Sequence, residues 1–353
     1  MSLPREPLIF DGHNDQLSLL ATLGRSGAPK TFRDNPKAAI DAARAALGGF
    51  GGGFFAVWVP SEGIEISNYA HMAEAPFSIP LPPEVPHTVA ADAALTQIAI
   101  LIDLESEGFV RVCRTAAEIR SALSKGELAA VLHMEGAEAV GPDLAALEVF
   151  YAAGLRSLGP VWSRPNIFGH GVPFRFPASP DTGPGLTDLG LLLVERCNAL
   201  GIMVDLSHLN EAGFWDIARI SKHPLVATHS NAHALCASAR NLTDVQLDAI
   251  AASGGVVGIN FATAFLRQDG RMMSDVPVER ILDHAEYLMD KLGEDGVALG
   301  SDYDGAVVPA ALRGVEGLPR LRKAMEDRGY SAKLMGKICH GNWLNVLERT
   351  WGA

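Results

Sequence analysis

The stretch "PLIFDGHND", residues 7–15, decides how the rest of the chain is read. Leu8, Ile9 and Phe10 form a short apolar run that passes directly into Asp11, Gly12, His13, Asn14 and Asp15. Side chains two apart on an extended strand point to the same side, so His13 and Asp15 can converge at the strand's carboxyl end. Taken alone, the same residues serve equally well as a turn or a helix cap. The other strands have to choose between these readings.

They repeat the form. Apolar runs at 53–60, 128–136, 155–162, 201–208, 224–230, 254–261 and 296–305 are strand candidates. Helical spacing of apolar residues falls between them, over 88–107, 186–200, 245–253 and 278–292. Thr187 is placed to cap one of these helices, and Gly201 and Gly293 to end two of them. The strands are continuously apolar rather than alternating, which suits a parallel sheet buried on both faces. Eight strands alternating with helices predict a single-domain (β/α)8 TIM-type barrel over residues 1–353, an α/β fold. An open doubly wound sheet is the alternative, but no GxGxxG follows the first strand. The Pro- and Gly-rich loops at 75–86 and 165–185 both follow strands and are placed to close over a site.

Composition narrows the class. The chain has 353 residues, 48% hydrophobic and 20% charged, enough for a large core and too apolar for general disorder. A net charge of −12 and a pI near 5.4 argue against nucleic acid or an anionic membrane surface as partner. Cys113, Cys197, Cys236 and Cys339 form no CxxC and read as reduced, buried thiols. No run is expected to approach the apolar length of a membrane span and no signal peptide is visible before the first strand, so the expected location is cytoplasmic.

The chemical signal lies at the strand ends. His13 and Asp15 follow the first strand, Glu135 ends "AAVLHMEG", His208 ends "IMVDLSH", His229 ends "LVATHS" and Asp302 ends "VALGSD". In a barrel all these ends open on the face that carries the active site. One polar residue at a strand end is ordinarily a hydrogen-bonded structural group. Five strands doing so together, with three His and three carboxylates, indicate a metal centre. Imidazole and carboxylate without thiolate suit Zn²⁺, with other divalent transition metals as substitutes. Three His with Asp15 and Glu135 exceed the usual set for one open zinc but suit two metals with Glu135 as bridge. Two metals about 3.5–4 Å apart can activate water and polarise a carbonyl, leaving Asp302 to carry a proton. Asp304 competes with Asp302, because "SDYDG" puts both on one side. His133 reads as a satisfied core residue and Asp205 as a group bonded within the barrel. No GxSxG or Cys–His pairing supports nucleophilic catalysis.

The strand ends resemble the membrane dipeptidase (renal dipeptidase) family of the amidohydrolase superfamily. The likeness is carried by "DGHND" (11–15), "GGFFAVWVP" (52–60), "MEGAE" (134–138), "IMVDLSH" (202–208), "THSNA" (228–232), "CASARNLTD" (236–244), "GSDYDG" (300–305) and "HGNWLNVLE" (340–348). The resemblance implies a (β/α)8 barrel with two zinc ions per chain, and a homodimer. It makes His13 and Asp15 ligands of one metal, His208 and His229 ligands of the other, and Glu135 the bridge. It makes Asp302 the catalytic Asp and Arg240 the group that holds the substrate carboxylate, a role a guanidinium fills through paired hydrogen bonds. One departure stands out. Where the family has a substrate-contacting His, "GPVWSRPN" (159–166) places Trp162, with Arg164 and His170 as nearby stand-ins.

The expected activity is hydrolysis of the amide bond of dipeptides or dipeptide-like compounds, with L–D pairs among the candidate substrates. Two rivals remain: an amidohydrolase acting on N-acyl amino acids or lactones, and a metal-binding protein that kept the barrel without turnover.

Overall fold

The computed structural model describes residues 6–61 and 69–352; residues 1–5, where the reading of the N-terminus falls, lie outside it. The strands among the described residues are β1 (Ile9–Asn14), β2 (Phe50–Trp58), β3 (Phe77–Ser78), β4 (Arg111–Val112), β5 (Ala129–Glu135), β6 (Leu155–Gly159), β7 (Arg175–Phe176), β8 (Met203–Val204), β9 (Val226–Ala227), β10 (Val256–Asn260) and β11 (Val297–Gly300). β1, β2, β5, β6 and β8 pair in that order, all parallel. β9, β10 and β11 form a second parallel sheet. Single bridges close the ring. Leu206 N–H donates to Val226 O at 2.8 Å past the end of β8, and Asp15 N–H donates to Tyr303 O at 2.8 Å past the end of β11. With helices between successive members, this is the (β/α)8 barrel that the pattern of runs predicts.

β5 shows why its sequence is apolar throughout. Ala129 and Val131 pack inward with Phe10, Phe54 and Trp343. Ala130, Leu132 and Met134 pack outward in the cluster that holds the helices. The same alternation sends His133 and Glu135 inward. Trp343, on the C-terminal helix Asn342–Trp351, fills the interior beneath them: it is fully buried, its ring lies 5.2 Å from Phe54, and its N–H donates to Leu299 O at 3.0 Å.

The membrane expectation needs a correction. The helix His87–Ser106 has 20 residues and a mean hydropathy of 1.3 over its most apolar 18-residue window, enough by length and composition for a membrane span. In the fold Ala90, Ala94, Ile98, Leu101 and Leu104 bury its inner face. Gln97, from the same face, clamps the end of β2: Trp58 N–H donates to its Oε1 at 3.0 Å, and its Nε2 donates to Trp58 O at 2.6 Å.

Two glycines shape the barrel mouth. A Cβ on Gly258 or on Gly300 would lie 2.0 Å from Thr228 O. Their bare backbones let the chain beyond β9 press inward, carrying Thr228 and His229 with it. Gly300→Ala should therefore destabilise the fold by about 1–3 kcal/mol, the usual cost of overpacking a tight interior. Urea denaturation measures it, and an unchanged midpoint would contradict this close approach.

Candidate metal centre

Each strand end delivers one part of a single cluster. β1 slips register against β2 between Asp11 and Asn14, and the His13 ring sits inside the barrel, 5.4 Å from the His133 ring and 3.9 Å from the His229 ring. Asp15 Oδ2 lies 3.4 Å from His13 Nε2. Three imidazole Nε2 atoms converge on one oxygen, Glu135 Oε1: His208 at 3.0 Å, His229 at 3.3 Å and His13 at 3.5 Å. His208 Nε2 and His229 Nε2 are 3.1 Å apart. His13, Glu135 and His229 form one group able to hold a metal, and His13, Asp15 and Asp302 a second. The six residues predicted at strand ends are thus brought together.

The outer ring nitrogen of His229 fixes its tautomer. Thr228 Oγ1 donates to Asp205 Oδ2 at 2.5 Å, so at 2.8 Å from His229 Nδ1 it can only accept. His229 therefore carries its proton on Nδ1 and turns the Nε2 lone pair inward. Ser163 Oγ sits 2.8 Å from His208 Nδ1 and holds that ring in place. Burial above all, with the charges of His13 and Arg240 adding, keeps His208 and His229 well below the ordinary imidazole range. Burial also opposes charge on His13, but Glu135 and Asp15 outweigh it and raise that ring to about 10. Burial raises Glu135 well above the carboxylate range.

The donor set fits a divalent metal. Two imidazole lone pairs and a carboxylate oxygen within 3.0–3.3 Å of one another repel unless a cation lies between them. Both nitrogens of His13 are buried without a hydrogen-bond partner. Three His with two or three carboxylates match a hard-to-borderline ion.

Asp302 and Asp304 separate cleanly. Both take left-handed backbone, with φ of 61° and 65°. Asp302 faces the cluster, with Oδ2 accepting from Asn260 Nδ2 at 2.9 Å. Burial raises its carboxyl above the usual range. Asp304 turns away and accepts from Ala39 N–H at 2.6 Å and Ile40 N–H at 3.3 Å; burial pushes it up to about 7. Arg240 is buried beside His229, donating to His229 O at 3.2 Å and to Ser230 Oγ at 3.4 Å, with Nε unpaired.

Trp162 lies against the cluster, its ring 5.7 Å from His208 and 5.4 Å from Trp58. Arg164 cannot stand in for the missing His. Its side chain is fully buried and donates to Glu138 Oε1 at 2.9 and 3.1 Å, to Val59 O at 3.0 Å and to Ser61 Oγ. His170 is half-buried in the same loop. His133 behaves as a core residue, 2.8 Å from Ser157 Oγ, and burial pushes it down to about 3. Asp205 bonds within the barrel, as expected.

Sequence reading passed over Asn260, Ser163 and Thr228. Asn260 ends an apolar strand, the same signal that picked out the others. Ser163 and Thr228 carry no local signal, because their role depends on partners brought together by the fold.

Comparison with known proteins finds relatives over most of the chain. A crystal structure of a metallopeptidase from Rhodobacter sphaeroides, liganded with a phosphinate mimic of the dipeptide L-Ala-D-Ala, superposes with a TM-score of 0.95 at 52% identity, covering 98% of this chain and 100% of that one. An uncharacterised protein in the pqqA 5′ region of Klebsiella pneumoniae is 51% identical over 262 residues, 74% of this chain and 97% of its own length. Dipeptidase tcpJ of Claviceps purpurea is 26% identical over 346 residues, 96% of this chain and 76% of its own. The family model for membrane dipeptidase, peptidase family M19, matches residues 2–351, and the chain belongs to that family of metal-dependent hydrolases.

Proposed function

We propose that the protein is a binuclear zinc dipeptidase, with a D residue accepted at the substrate's C-terminus. The observation that carries this reading is the convergence of three imidazole Nε2 atoms on Glu135 Oε1 beside a buried Arg240. His13 and Asp15 would hold one ion, His208 and His229 the other, with Glu135 shared between them. When bound, the two ions supply Lewis acidity and an activated water.

The chain's own groups do the rest. Arg240 pairs with the terminal carboxylate and sets the distance from that charge to the scissile carbonyl. Asn260 holds one oxygen of Asp302, so the other is free to take a proton from the attacking water. Asp302 returns that proton to the leaving nitrogen as the amide C–N bond breaks. The Asp205–Thr228 pair keeps His229 in the tautomer whose Nε2 faces inward, and Ser163 holds the His208 ring in place. Trp162 shields the His208 side from water. The stereochemical part of the reading draws on the L-Ala-D-Ala mimic bound by the R. sphaeroides relative.

Three variants test the roles. Glu135→Gln should lose metal and turnover together, since it removes charge shared by two cations. Elemental analysis showing two ions per chain and near-normal activity would remove Glu135 from the bridge. Asp302→Asn should keep its metal but lower kcat by about 10²–10⁴. Asp304→Asn should instead lower stability, by about 1–3 kcal/mol for the buried N–H partners it leaves poorly satisfied; the reverse pattern would exchange the two roles.

Arg240→Ala should cost a dipeptide at least about tenfold in kcat/KM, since a single charge-assisted hydrogen bond exceeds 1.4 kcal/mol. The same dipeptide with its C-terminus amidated should be a poor substrate already and lose little more. Equal losses would put the carboxylate elsewhere. A screen of L–L and L–D dipeptides beside N-acyl amino acids and lactones, with zinc present, tests the reading as a whole.

A further inference from the structure

We infer that the ring of Phe174 forms the wall against which the side chain of the substrate's C-terminal residue packs, and that it selects apolar over charged side chains there. The inference rests on the dipeptidase reading above and deepens it.

The argument starts from an unbroken run of rings. The Arg240 guanidinium lies 5.5 Å over the ring of Phe265. Phe265 stacks on Phe174, with centroids 6.2 Å apart and an interplanar angle of 15°. Phe174 meets Trp162 edge-on at 5.7 Å and His208 edge-on at 6.2 Å. The rings thus bridge the gap between the group proposed to hold the carboxylate and a group proposed to hold metal. In a dipeptide, one residue separates the terminal carboxylate from the scissile amide. The C-terminal residue therefore spans the same interval as the rings, with its side chain beside them.

Of the three apolar rings, Phe174 is the one with area left to offer. Phe265 and Trp162 are 4% and 7% exposed, their faces already packed. Phe174 is half-buried. Its position is well defined: Phe174 O accepts from Ile79 N–H at 2.8 Å, and Val172 N–H donates to His208 O at 2.8 Å. The neighbouring charge is directed away, since Arg175 is exposed and its Nε donates to Ser78 Oγ at 3.0 Å. A charged side chain on such a wall loses water without gaining a partner, whereas an apolar one gains contact.

The test compares kcat/KM for alanyl-leucine and alanyl-aspartate, each with the C-terminal residue in L and D form. Wild type, Phe174→Ala and Phe174→Leu are assayed with zinc present, and metal content is measured on each. The ratio is taken within one preparation, so partial misfolding cancels. Wild type should favour leucine by tenfold or more. Phe174→Ala should shrink the ratio by about tenfold, and Phe174→Leu should retain most of it. A Phe174→Ala enzyme with the wild-type ratio, or a wild type indifferent to the two substrates, overturns the inference and leaves the dipeptidase reading standing. A wild type that cleaves no dipeptide overturns both.

Discussion

One oxygen atom constrains the rest of the molecule. Glu135 Oε1 has three imidazole nitrogens within 3.5 Å, in a largely buried site. A buried carboxylate is costly by itself, and imidazole lone pairs crowded against it add repulsion. A cation at the centre relieves this crowding, and hydrogen bonds from behind hold the His208 and His229 rings. The fold supplies that support from every side: Asp205 through Thr228 to His229, Ser163 to His208, and Asp11 to Ser301, whose hydroxyl reaches His13 O at 3.2 Å. A fully buried Arg164–Glu138 pair ties the segments after β2, β5 and β6 together beside Trp162. Its worth is positional, since a buried ion pair contributes little net stability.

Closing the barrel and assembling the site are the same event. The ring shuts where β1 meets β11, through Asp15 N–H to Tyr303 O and Asp302 N–H to His13 O at 3.0 Å. Both bonds involve residues of the candidate centre. The left-handed backbone at Asp302 follows from this closure, because the chain must turn sharply after β11 while its N–H still reaches β1. Strained backbone of this kind at Asp302 suits the proton-carrying role proposed for it.

Much of this was legible in the sequence, and the reasons for the gaps are physical. The eight ring strands showed as continuous apolar runs because both their faces are buried, and the centre showed because polar groups ended those runs. The boundaries of β8 and β9 did not: regular pairing covers two residues in each, since the chain bends inward at Asp205 and Thr228 to serve the imidazoles. The helices Ala116–Lys125 and Glu211–Ile220 were passed over, each being only 10 residues long. The helix at His87–Ser106 was legible from its apolar spacing, but its membrane-span hydropathy was passed over. The orienting hydroxyls and the aromatic wall were invisible, because each depends on a partner distant in sequence.

The loops over the mouth show why catalysis and selection can be separated in this barrel. β3 and β7 come from the two Pro- and Gly-rich loops and pair antiparallel, Phe77 with Phe176. A third segment joins them through Met272 N–H to Met72 O at 2.8 Å and Arg271 to Ala73 O at 2.8 Å. Together they bury a small core of their own, with Met72, Phe77, Phe265 and Met272, distinct from the barrel interior. The imidazoles and carboxylates are set by barrel strands, whose spacing cannot change without breaking the ring. Phe174 and Phe265 are set by the roof, whose loops carry no part of the ring's pairing. The roof thus sets what packs beside Arg240, and it touches the centre through Val172 N–H to His208 O and the Phe174 ring. The division follows from topology: the ring is held by hydrogen bonds shared among eight strands, and the roof by a few contacts between loops.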